Sequence, residues 1–442
     1  MRNVRDFGAA GDGSTSDTAA IQRAIDAGGE VWFPPGIYKS GTLYLRSHGG
    51  LTLEPGAVIV SGGDEETWND PHFCPQNRTS INEKNNGRHL IAAYQCEDVF
   101  IRGGKIDGRC LNWFDEMNDH NPLFKLKERN GQMLFFCESR DIRIENCDLC
   151  NASYWHCFLH GCEHVLISGL RIRGDIRVPC NDGIDVDCCR FVTVRNCEIE
   201  TGDDAFTLRG NNAALGQELR PCEFINVSNC MFSSCYGDAV RLGVGNGLIR
   251  SCSFSNIMVP KSNIGIELAS SYSGETGVTM ENISFENIRL NVCRPFKILL
   301  EAENCHCQIY THIRNVDFCH IRGRGELSSE IFGNTTGEIS GLRFKDIRFD
   351  YYGKGPAPNV DEQGYWCKES TAAAFTIRNV QDVTFEDLSV NWCQNRDLWL
   401  YEVEAENSAV HFKNCGLEKG FNEISSPIRG CVSDVENEKQ DQ

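Results

Sequence analysis

The chain has 442 residues, with 62 Asp plus Glu against 43 Lys plus Arg for a net charge of −19, and 24 Cys. Charge of this sign repels phosphate backbones and anionic lipid, which argues against nucleic acid and against a membrane surface as partners. No stretch approaches the roughly 20 apolar residues that span a bilayer, and the opening MRNVRDFGAAGDG lacks the apolar core of a secretory signal. The expectation is a cytoplasmic protein, or a secreted one from which a leader has been removed.

Taken in chain order, the first predicted element is a helix over Asp17 to Ala27. Ser16 or Asp17 would cap it, Ile21, Ala24 and Ile25 would share one face, and Gly28-Gly29 would stop it. Helical periodicity is scarce after it. A six-residue pattern takes over: apolar, any, apolar, any, then Gly, Asn, Ser or Asp, then a small or apolar residue. Its copies start at Val99, Ile142, Val165, Val192, Ile225, Ile283, Val316, Leu342, Val383 and Val410, with a weaker GLIRSC from Gly247. Such spacing suits a solenoid whose coils carry inserts of variable length. Alternation within a copy predicts a short strand with one face inward, and position five predicts a tight turn. Position six is often Cys, so Cys147, Cys197, Cys230, Cys252 and Cys415 are expected as core-filling thiols. Neither Cys188-Cys189, Cys147-x-x-Cys150 nor Cys305-x-Cys307 has a second pair at zinc spacing, so no metal is expected.

The predicted fold class is all-β: a single-stranded right-handed parallel β-helix with an N-terminal capping helix. It would occupy residues 1–420, with 1–60 as cap and first coils, and leave 421–442 as a polar, fraying tail.

A second strand series runs DGIDVD from Asp182, DAFTLR from Asp204, DAVRLG from Asp238 and GIELAS from Gly265. With coils about 4.8 Å apart, Asp182, Asp204 and Asp238 would form a carboxylate column, with Asp203 just outside it and Glu267 one coil further. Like charges this close cannot all stay ionised, and splitting their pKa values yields the acid and base that glycosidic bond hydrolysis requires. A lone Asp in a solenoid turn is ordinarily a local hydrogen-bonding residue; the pair Asp203-Asp204 in register with Asp182 is not lone.

These residues lie in long ordered runs: VRDFGAAGDGSTSDTAAIQRAID, VWFPPGIYKSGTLYLRS, IDGRCLNWFD, SYWHCFLHGCEHVLISGLRIRG, VPCNDGIDVDCC and ETGDDAFTLRG. In them the chain resembles the polygalacturonase-like glycoside hydrolases of family 28, over roughly residues 3 to 420. That family's Asn-Thr-Asp-Gly and Gly-Asp-Asp motifs fall on CNDG and GDD here. The resemblance implies Asp203 as general acid, Asp182 and Asp204 as the pair that holds and deprotonates water, inversion by single displacement, and no cofactor. Two family motifs are altered. Gly-His-Gly-Ile-Ser-Ile-Gly becomes GDAVRLG, which puts Asp238 at the His and Arg241 at the Ser. Arg-Ile-Lys, which clasps the uronic carboxylate, becomes Glu267-Leu268-Ala269.

A galacturonate carboxylate against Glu267 with no offsetting cation would be strongly disfavoured. The reading is therefore an exo-acting inverting hydrolase of a pectic or related glycan, with cleavage-subsite specificity moved away from plain galacturonate. Asp238, Arg241, Glu267, Arg209 and Asn181 are the expected binding residues, with Trp113 and Trp155 as stacking faces. The insert from Cys110 to Gly131 would close one end of the groove. Alternatives are an exo-hydrolase of ordinary galacturonides, a Ca²⁺-dependent β-helix lyase or epimerase, which needs a basic residue on a ridge short of Lys, and a non-catalytic glycan-binding solenoid. Oligomeric state is not legible.

Overall fold

A computed structural model describes the chain except for residues 79–84, 118–122, 127–128, 216–219, 304, 353–369, 395–398, 417–427, 431–433 and 437–442. Strands dominate and stack in parallel ladders, so the expected parallel β-helix is the observed fold. The repeated hexapeptide is its unit. Position five adopts left-handed backbone in every copy, with φ between 48° and 72° at Gly103, Asn146, Gly169, Asn196, Asn229, Asn287, His320, Asp346, Asp387 and Asn414. Asn and Asp tolerate that region because their short polar side chains bond locally, which explains their abundance there.

One copy needs correcting. Register pairs Cys252 with Ile283 and Phe254 with Phe285, so the copy between Ile225 and Ile283 is CSFSNI from Cys252, with Asn256 at position five. GLIRSC straddles its start, and Cys252 points inward from position one. Cys147, Cys197, Cys230 and Cys415 fill the core from position six as expected.

The coils form two compact units, Met1–Thr207 with Asn211–Cys230, and Leu208–Gly210 with Met231–Gln442. In the first, one ladder joins Ile91–Tyr94, Leu134–Cys137, Cys157–His160 and Ile184–Asp187. A second joins Glu97–Asp107, Arg140–Glu145, Glu163–Ser168 and Arg190–Arg195. A third joins Asp148–Cys150, Arg171–Arg173 and Glu198–Thr201. In the second unit position three is repeatedly Phe: Phe254, Phe285, Phe318, Phe344, Phe385 and Phe412 form one column with ring centroids 4.6 to 5.5 Å apart. Centroids at that spacing match the rise between coils, so each ring meets the next without distorting the ladder.

The helix is Thr18–Asp26, and it buries Ile21, Ala24 and Ile25. Asp17 sits at its N-cap without capping it. Its carboxylate instead accepts the N–H groups of Ala10 and Gly11, at 2.6 and 2.9 Å, tying the preceding loop down. At the other end, Ile428–Gly430 and Asp434–Glu436 add strands to the ladders of Tyr401–Glu406 and Val410–Lys413, where a fraying tail was expected. An open ladder end offers unpaired backbone groups, which even a polar segment can satisfy.

Candidate active site

In the first unit, Asp182 and Asp204 are brought together by their backbone. Gly183 and Ile184 donate their N–H groups to the carbonyls of Asp204 and Ala205, at 2.9 and 3.1 Å, which sets Asp182 beside Asp204 across the ladder. Gly183 must be glycine for this approach, because a Cβ there would stand 2.3 Å from the Ala205 carbonyl oxygen. Asn181 is fully buried and acts as a clamp. Its Oδ1 accepts from the N–H groups of Gly202 and Asp203, at 2.8 and 3.1 Å, and its Nδ2 donates to the Asp175 carbonyl at 2.7 Å. Asp203 then bends back, its Oδ1 accepting the Asp204 N–H at 3.1 Å. The Asn181 clamp also needs Gly174, where a Cβ would lie 2.4 Å from its Nδ2.

Exposure and protonation separate these acids. Asp203 is half-buried, whereas Asp182 is only 6% exposed and its Oδ1 has no hydrogen-bond partner among the described residues. Burial, and then the negative charges of Asp203, Asp185 and Asp204, push the Asp182 carboxyl well above the usual carboxylate range. His156 lies beneath it. Burial brings the imidazole down to about 4, so its Nδ1–H donates as a neutral ring to the Asp182 carbonyl at 2.8 Å, and its Nε2 faces the Ala152 N–H. A buried pair, His160 with Asp187 at 3.3 Å, occupies the neighbouring strands Cys157–His160 and Ile184–Asp187.

The second unit carries Asp238, Arg241 and Glu267, but not as one column. Register places Asp238 opposite Ile264, Arg241 opposite Glu267, and Glu267 opposite Lys297. Glu267 therefore extends the Arg241 position, not the Asp238 position. Lys297 Nζ lies 3.2 Å from Glu267 Oε2, and Arg241 Nη2 lies 3.9 Å from Glu267 Oε1. Both cations also reach Glu303, at 3.6 and 3.2 Å. Burial alone would raise the Glu267 carboxyl; Lys297 and Arg241, with a hydrogen bond from Asp238, outweigh it and bring it down to about 2. Burial would likewise lower Lys297, and Glu267, Glu303 and Asp238 raise it instead.

Two expectations change here. The argument that Glu267 lacks an offsetting cation fails, because Lys297 and Arg241 both supply one. The ridge is also not short of Lys. Lys297 escapes the sequence reading because its strand, Thr279–Leu299, is seen there only through its first copy, ISFENI, and Glu303 because it lies just beyond that strand. The second alternation, PFKIL over 295–299, repeats GIELA over 265–269 and is the signal that locates Lys297.

The expected stacking aromatics are not surface faces. Trp113 packs with Cys110, Phe114 and Val178, and Trp155 with Tyr154, Phe158, Phe135 and Cys137. Trp155 stacks on Tyr154 at 4.7 Å, so that ring face is already taken. Arg209 is buried in Phe206–Gly210. The insert from Cys110 carries an antiparallel hairpin, Phe114–Met117 with Phe124–Leu126. It is anchored just ahead of Asn181: the Phe124 N–H donates to the Arg177 carbonyl, and Arg129 Nη1 donates to the Pro179 carbonyl, both at 2.8 Å.

Comparison with known proteins shows the family and the fold. The family model described as "Glycosyl hydrolases family 28" matches residues 72–354, and one described as "Rhamnogalacturonase A/epimerase, pectate lyase-like" matches residues 1–45. A probable polygalacturonase of Vitis vinifera is 28% identical over 277 residues, covering 60% of this chain and 55% of its own length. An exo-poly-alpha-D-galacturonosidase of Dickeya chrysanthemi is 22% identical over 334 residues, covering 65% of this chain. That match too spans 55% of the relative, so the chain covers little more than half the length of either protein. The crystal structure of a hyperthermoactive exopolygalacturonase from Thermotoga maritima superposes with a TM-score of 0.61 at 21% identity, over 79% of this chain and 86% of that one, which shows a shared fold.

Proposed function

The chain belongs to glycosyl hydrolases family 28, and from that premise we propose that it is an inverting hydrolase of pectic or related glycans. The observation that carries this reading is the acid cluster of the first unit, in which burial and the crowding of three carboxyls raise Asp182 well above the usual carboxylate range, so that the cluster as a whole retains a proton. Hydrolysis with inversion needs one acid to protonate the leaving oxygen and one base to activate water. Asp203, the more exposed carboxyl, is the general acid; Asp182 and Asp204 hold and deprotonate the attacking water. Coupled carboxyls share their protons, so one proton serves the cluster. The Asn181 clamp holds the Asp203 backbone and fixes where that proton is delivered.

Cleavage from a chain end is part of the proposal. The strand pair Phe114–Met117 and Phe124–Leu126 supports it, with Phe124 bonded to Arg177 in the segment that leads into Asp182. The cleavage subsite is proposed to favour something other than plain galacturonate, because the two cations beside Glu267, Lys297 and Arg241, are already paired with carboxylates of the protein. A lyase would need a base on the ridge. Lys297 is the available amine, and its ion pairs hold its proton rather than release it.

The test is to incubate the protein with neutral and uronic oligosaccharides and follow the first-formed anomer by proton NMR. Inverted configuration and release of single sugars are expected. A retained anomer defeats the single-displacement mechanism, an unsaturated product absorbing in the ultraviolet shows a lyase, and a ladder of internal fragments defeats exo action.

A further inference from the structure

One carboxylate of the Glu267 cluster has no part in the proposed catalysis. Glu303 follows the strand Thr279–Leu299, and its side chain is 31% exposed where that of Glu267 is 2%. Its backbone is pinned, the carbonyl accepting the Tyr272 N–H at 2.7 Å. Its two oxygens divide between the two cations: Oε2 lies 3.2 Å from Arg241 and Oε1 3.6 Å from Lys297. A carboxylate bridging two cations in this way sits as a ligand carboxylate would sit between them.

Arg241 and Lys297 are each shared between two carboxylates, the buried Glu267 and the more exposed Glu303. Of the two, Glu303 is the one an incoming carboxylate would meet. The cations do not depend on Glu303 for their places. Arg241 donates to Ser271 Oγ at 3.1 Å and lies over the Tyr272 ring at 5.6 Å, while Lys297 keeps Glu267 at 3.2 Å. Glu267, by contrast, is sealed in the core, 2% exposed, so Glu303 is the carboxylate that faces outward from the cluster.

We propose that Glu303 is the specificity-determining residue of this subsite: it fills from within the protein the seat that a uronate carboxylate would take, so the site selects a sugar ring that carries no charge there. A free uronate would have to bring a second carboxylate against Glu303 or displace it from both cations. The inference rests on the glycan-hydrolase reading and names its substrate class.

The experiment compares digalacturonate with its methyl ester, which keeps sugar and linkage and removes the charge. Wild type is expected to favour the ester. In E303Q, and in the same direction in E303A, the acid-to-ester ratio of kcat/KM rises at least tenfold. Calorimetric titration with galacturonate is expected to show at least tenfold tighter binding to E303Q than to wild type. An unchanged ratio, or wild type that already prefers the free acid by tenfold, overturns the proposal. If wild type cleaves neither substrate, the hydrolase reading is judged by the anomer assay on the wider set of oligosaccharides, and the titration decides on Glu303 alone: equal affinity for both proteins overturns it.

Discussion

Asp182 in the first unit and Glu267 in the second are carboxyls buried almost alike, at 6% and 2% exposure, yet they are displaced in opposite directions. Burial raises both. At Asp182 the nearest charges are further carboxylates, so the proton is retained. At Glu267 they are Lys297 and Arg241, so it is expelled. What a buried acid does is thus set by the company its strand register gives it, and one fold raises a carboxyl on one stretch of coils and lowers one on another.

The comparison can be broken most severely at the first site. Asp203→Asn is expected to lower kcat by about 10² to 10⁴, the usual contribution of a positioned acid, with the far-ultraviolet circular dichroism unchanged. An activity loss below tenfold would remove Asp203 from the acid role. At the second site, Lys297→Met leaves Glu267 buried with half its compensation. Urea unfolding should show a loss of about 3–5 kcal/mol, the cost of breaking a buried pair from one side.

A pH series sharpens the contrast, because the two acids carry opposite signs. Glu267 has a lowered native pKa, so its contribution to stability is present above the ordinary 4.5 and is lost as pH falls toward about 2. Glu267→Gln should flatten that acid limb. Asp182 has a raised native pKa, so its penalty is absent below the ordinary 3.8 and grows as pH rises. Asp182→Asn should therefore raise the melting temperature at pH 7 and leave it unchanged near pH 3, while activity is lost. Parallel slopes for the two variants would refute the contrast. The smallest effect is expected at Asn181→Ala, which removes the acceptor for two backbone N–H groups. A stability loss of about 1–2 kcal/mol should accompany a fall in kcat with little change in KM, since the clamp positions Asp203 rather than binding sugar.

Much of this was legible in the residues. The hexapeptide announced a solenoid because alternation and a turn residue recur together, and the left-handed φ of position five is the reason for its Asn and Asp. Asp182, Asp203 and Asp204 were visible because their motifs are contiguous in sequence. The second cluster was half visible. Arg241 and Glu267 lie in recognisable copies, but Lys297 belongs to it only through lateral register, which a one-residue slip would send to the other face, and Glu303 only through the turn beyond that strand. CSFSNI was missed for the same reason: Ser251 imitates a turn residue one place before the true copy begins, and it too has left-handed φ, at 54°. The tryptophans misled because an aromatic beside a cleft motif packs as readily against protein as against sugar.

The position-six cysteines place a chemical clock inside the coils. Cys393 is exposed and free, while Cys147, Cys197, Cys230 and Cys415 are buried and free on coils spread along the solenoid. An alkylating reagent would mark Cys393 at once and the others only as each coil opens. Their labelling rates, read site by site, would give the local opening free energy along the solenoid without a single introduced probe.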